Sequence, residues 1–66
     1  MLPITKAFSL YENHVFLLLS LRLDVHEVEL RNNITNGEFQ IMAESYVLGL
    51  HAEDCVDRLI EHSNPQ

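Results

Sequence analysis

Tryptophan is absent from this 66-residue chain, cysteine occurs once, and glycine and proline occur twice each. A single cysteine cannot close an internal disulfide, which excludes a disulfide-stapled secreted mini-protein. Bases are scarce too: 4 Lys and Arg against 10 Asp and Glu give a formal net charge of -6. Non-specific affinity for a phosphate backbone needs clustered Lys and Arg, so this balance disfavours nucleic acid as a partner. Long apolar runs are also missing. The longest, Val15–Leu19, is followed at once by Ser20 and Arg22, whereas a membrane span needs about 20 apolar residues. Lys6 is the sole early base and Glu12 precedes the apolar run, which is not the pattern of a signal peptide. The expectation is a soluble, cytoplasmic chain with a reduced thiol and no membrane contact.

What is present is a 47% apolar composition, ordinary for a folded chain and too high for a solvated, disordered one. The length allows one small domain. Chains of this size usually supplement their core with disulfides, a metal or a partner subunit. With disulfides excluded and metal ligands sparse, self-association as a homodimer is the expected remedy.

Punctuation divides the chain into helices. Residues 1–8, with Pro3, read as an extended lead-in. Ser9 and Glu12 fit a capping box, and an apolar-rich stretch without Gly or Pro follows, so a long helix is expected over residues 9–31. Asn32 and Asn33 can end it. Thr35 and Glu38 form a second capping box; Phe39, Met42, Ala43, Tyr46, Val47 and Leu50 then recur at helical spacing, giving a helix over 35–49. Gly49 suits the left-handed residue that closes it, with Leu50 folding back. A third helix is expected over 51–62, its apolar side made of Cys55, Val56, Leu59 and Ile60, and 63–66 form a frayed tail.

The first helix carries two apolar stripes. At 100° per residue Leu10, His14, Leu17, Leu21, Val25 and Val28 share one side, and Phe16, Leu19, Leu23 and Leu30 fall nearly opposite. The two shorter helices can cover one stripe, which leaves the other for a second chain. The expected self-association surface is Phe16, Leu19, Leu23 and Leu30, with His14 as a polar residue that fixes register at the seam. The fold class is therefore all-α, a three-helix bundle assembled as a homodimer. The alternative is α+β, an antiparallel hairpin or meander followed by a C-terminal helix. It draws on the alternation Val15, Leu17, Leu19, Leu21, Leu23, Val25 and on the hairpin signal Asn36-Gly37. Leucine in place of β-branched residues, and a strand far beyond the usual length, weigh against it.

Motifs for chemistry are thin. His51 and Cys55 are four residues apart, but zinc requires two more ligands and the chain supplies no matching pair. No phosphate loop, dinucleotide fingerprint or nucleophile elbow occurs, and a chain this short rarely builds a rigid pocket. Neither catalysis, nor a cofactor, nor a metal is expected. Glu53, Asp57 and Glu61 lie at i, i+4 and i+8 and form an acidic stripe, a candidate surface for a basic or neutral protein partner. Residues 38–62 have the outline of a helix-turn-helix, yet the second helix offers Arg58 among four carboxylates, poor chemistry for DNA grooves and phosphates. The expected role is a non-catalytic, small acidic interaction module or regulator with an unidentified protein partner, a profile compatible with accessory factors of phages or mobile elements. A DNA-binding transcriptional regulator is the alternative.

Overall fold

A computed structural model of the chain describes residues 6–63. Among them the backbone forms α1 (Lys6–Leu23), α2 (Glu27–Asn32), α3 (Asn36–Val47) and α4 (Ala52–Ser63), and no strand. The class is all-α. The hairpin of the α+β alternative does not form: Asn36 and Gly37 are the opening residues of α3. The outer tails that the sequence reads as lead-in and frayed end fall largely outside the described residues.

Two expected features of the first helix are corrected. It starts earlier than the Ser9–Glu12 box, because Lys6, Ala7 and Phe8 are already helical. It also does not run through to Arg31. Asp24 takes a left-handed conformation (φ 56°), and the Val25 N–H donates to the Ser20 carbonyl at 3.2 Å. That six-residue closure is the Schellman stop usually made with glycine, here tolerated by a short polar side chain. The packing reason is visible. In one straight helix Leu30 would stand about 16 Å beyond Leu19 along the axis, off the end of the bundle. After the break, α2 folds back and sets Leu30 and Ile34 against the core. His26 caps the new helix, its Nδ1 accepting from the Val28 N–H at 3.1 Å. The Arg31 guanidinium lies 4.5 Å over the Phe16 ring and donates to Asn13 Oδ1 at 2.6 Å, fastening α2 to α1.

The later elements start and stop on recognisable chemistry. The Thr35 hydroxyl accepts from the Glu38 N–H while the Glu38 carboxylate accepts from the Thr35 N–H, a complete capping box on α3. Gly49 adopts φ 75°, and the Leu50 N–H donates to the Ser45 carbonyl at 2.9 Å, a second Schellman closure that turns the chain into α4.

The core joins α1, α3 and α4 through Val15, Phe16, Leu19, Met42, Ala52, Cys55, Val56 and Leu59. Aromatic edges extend it toward the start of α1: Phe8 meets Phe39 at 6.0 Å and Tyr46 at 5.2 Å, and Tyr11 meets Tyr46 at 5.4 Å, all edge-on. Ser45 is fully buried, but its hydroxyl donates back to the Ile41 carbonyl at 2.7 Å, so this polar group is satisfied within its own helix.

Candidate functional site

Two outward faces stand out, one on α1 and one on α4. On α1 the core takes the side bearing Phe8, Val15, Phe16 and Leu19. The opposite side presents Leu10, Leu17 and Leu21, which remain 61%, 47% and 72% exposed, with exposed His14 between them. Such a row of leucines along one helix is an apolar patch of the kind that marks interaction surfaces.

This reverses the expected orientation of α1. Of the residues expected to mediate self-association, Phe16 and Leu19 are core residues, 3% and 9% exposed. Leu30 is half-buried against that core. Leu23 is exposed at the end of α1 and His14 faces solvent, but on opposite sides of the helix. The five residues do not form one surface. Aromatic and cationic partners decide the matter: Phe16 is sandwiched between the core and Arg31, and Phe8 is held by Phe39 and Tyr46. Those contacts span long sequence separations, so the pattern of α1 alone cannot choose between its two stripes.

On α4 the expected acidic residues do share a face. Glu53, Asp57 and Glu61 are all exposed, opposite Ala52, Cys55, Val56 and Leu59. Asp57 is engaged by Arg22 of α1 at 3.1 Å, which leaves Glu53 and Glu61 as the less compensated ends of the stripe. The α3–turn–α4 unit has a helix-turn-helix outline, but α4 turns carboxylates outward where a DNA reader needs bases.

The interior polar groups are arranged for packing. Burial pushes the Tyr11 hydroxyl up to about 12, and the neighbouring Cys55 thiol adds to that shift. The Cys55 thiol is itself raised, because its burial outweighs the influence of the neighbouring Ser45 and Tyr11 hydroxyls. A thiol held protonated is a poor nucleophile and a poor metal ligand at neutral pH. Cys55 is fully buried while His51 is exposed, so the pair does not converge on a common site. Among the described residues no cluster of His, Cys, Asp and Glu is arranged to hold a metal ion.

A hollow of about 170 Å³ opens between Phe16, Leu19, Leu30, Ile34 and Leu59, with Glu38 at its rim. Burial alone would raise the Glu38 carboxyl. The Thr35 N–H, the Ser63 and Thr35 hydroxyls and the charge of His62 outweigh that and hold it below the ordinary carboxylate range. Its oxygens are thus committed to joining the start of α3 to the end of α4. No described helix is long and apolar enough to cross a membrane.

No family model, curated protein or solved structure matches this chain.

Proposed function

We propose that this chain is a non-catalytic interaction module, a small acidic regulator that acts through protein–protein contacts. The observation that carries the reading is the separation of two exposed faces of opposite character. Leu10, Leu17 and Leu21 line α1, and Glu53, Asp57 and Glu61 line α4. An apolar face supplies binding free energy through burial, and a single-sign charged face supplies steering and selectivity. The α1 face serves self-association, and the α4 face meets a larger neutral or basic protein. The outward carboxylates of α4 favour this reading over that of a DNA-binding regulator.

The test of the α4 assignment is a paired capture experiment. Wild type and a Glu53→Gln/Glu61→Gln variant, immobilised equally, are exposed to the same cell extract at low and moderate salt. A captured protein that falls several-fold with the variant, and with salt, fits the reading. Identical capture by both chains overturns the role of the acidic face. In parallel, duplex DNA at low salt is expected to show no mobility shift; a salt-dependent shift would favour the regulator reading instead.

A further inference from the structure

We infer that the Leu10–His14–Leu17–Leu21 face of α1 binds a second copy of this chain, with the two α1 helices antiparallel about a two-fold axis between His14 and Leu17. This rests on the proposed reading of that face as a self-association surface and gives the direction and register in which the two copies meet.

Spacing comes first. Ala7, Leu10, His14, Leu17 and Leu21 are separated by alternating steps of three and four residues, the a/d repeat that lets two helices interlock along a seam. All five are exposed, so none of the described residues fills the seam. α1 has 18 residues and is therefore about 27 Å long, and the repeat occupies nearly all of it.

Charge then selects the partner and the direction. The molecule carries a net charge of -6, so two copies repel unless they meet where carboxylates are few. The α1 face is such a place. Asn13 and Ser20 flank the seam on one side and Tyr11 and Leu18 on the other, while the acidic stripe lies on α4. Within α1 the charged residues on this face stand at its two ends: Lys6 opens α1 and Asp24 follows its last residue, both exposed, while Asp54 and Arg58 of α4, of opposite sign, act on the Tyr11 flank. In a parallel pair Lys6 would meet Lys6 and Asp24 would meet Asp24. Antiparallel pairing instead places Leu10 against Leu21 of the second copy, His14 against its Leu17, and Lys6 beside its Asp24. The surface is then self-complementary, as a two-fold interface requires, and the opposed helix dipoles add to the same preference.

The test combines one disruptive variant with a register probe. Light scattering on a sizing column, from about 1 µM to about 1 mM, should show the wild-type mass rising toward twice the monomer. Leu21 is 72% exposed in the monomer, so Leu21→Glu should keep the helical circular dichroism and weaken association at least about tenfold. For the register, Leu10→Cys and Leu21→Cys chains are mixed and mildly oxidised, and the cross-linked peptides are mapped. A Leu10→Cys/Leu21→Cys disulfide should dominate over Leu10→Cys homodimers.

A wild type that stays monomeric overturns the inference, as does a Leu21→Glu variant that still dimerises. Preferential Leu10→Cys homodimers overturn the register. The two proposals can fail separately. A monomer that still shows α4-dependent capture removes the second copy and keeps the interaction module. A dimer of this register whose α4 variant captures as wild type does the reverse.

Discussion

In α4 the apolar residues Ala52, Cys55, Val56 and Leu59 fall on one side and Glu53, Asp57 and Glu61 on the other. In α1 large apolar residues point both ways: Val15, Phe16 and Leu19 inward, and Leu10, Leu17 and Leu21 outward. The two helices pack against each other, yet only α4 encodes its own orientation. Turning α4 over would bury carboxylates at a cost of several kcal/mol each. Turning α1 over would exchange one set of large apolar residues for another. Its orientation is set from outside, by Phe39 and Tyr46 against Phe8 and by Arg31 against Phe16. Apolarity specifies that a surface will be covered, and only its partners specify by what.

The most forceful way to break that comparison is to truncate each side of α1 in turn. Phe16→Ala should cost about 3–5 kcal/mol in urea unfolding, enough to threaten a domain this small; Phe16→Leu is the milder companion. Leu17→Ala, measured at low micromolar concentration, should stay within about 0.5 kcal/mol of wild type. If Leu17→Ala proved the more damaging, α1 would have its other face inward.

Alkaline titration sharpens the comparison at the junction of the two helices. Tyr11 of α1 has its hydroxyl raised to about 12 by burial and by Cys55 of α4, whereas a tyrosine in the unfolded chain ionises near pH 10. The native state therefore holds its proton where the unfolded state releases it. Stability is fully present below pH about 10 and falls as pH rises toward about 12. Thermal melts across that range should show the decline in wild type and a smaller one in Tyr11→Phe.

The turn that delivers α4 offers a smaller effect with a built-in control. Gly49 holds φ 75°, so Gly49→Ala should destabilise by about 1 kcal/mol. Gly37 sits in the first turn of α3 without that constraint. A Cβ there would lie 3.4 Å from the His62 imidazole, an exposed side chain free to give way. Gly37→Ala should be neutral or stabilising by a few tenths of a kcal/mol. Chemical denaturation of both variants checks the pair, and equal losses would mean that the left-handed turn is not what fixes α4.

The smallest effect belongs to the acidic face. Arg22 and Asp57 pair at 3.1 Å, but both are more than half exposed. Asp57→Asn should change stability by less than about 1 kcal/mol, and the difference should shrink further in salt. A larger, salt-independent loss would make the α4 face part of the fold's support instead of a free surface.

Legibility in the sequence followed the locality of the signal. The Thr35–Glu38 box, the Gly49 closure and the division of α4 into two faces depend on residues within a few positions, and each stands in the structure where its pattern places it. The stop at Asp24 was illegible for a local reason. Aspartate tolerates the left-handed conformation but does not announce it as glycine does, and the Asn32–Asn33 pair offered a stronger end signal further on. The Ser9–Glu12 box was misleading, since Ser9 lies inside α1. The two stripes of α1 were legible as stripes. Which of them faces inward was not, because that choice is made by α2 and α3.

The central claim is that the outer face of α1 is left for a second copy, and sedimentation equilibrium tests it most directly. Wild type and Leu17→Glu are run side by side from about 1 µM to about 1 mM. The wild-type mass should climb from monomer toward dimer, and the Leu17→Glu mass should stay monomeric with unchanged helix content. Indistinguishable curves for the two chains, whether both monomeric or both dimeric, would contradict it.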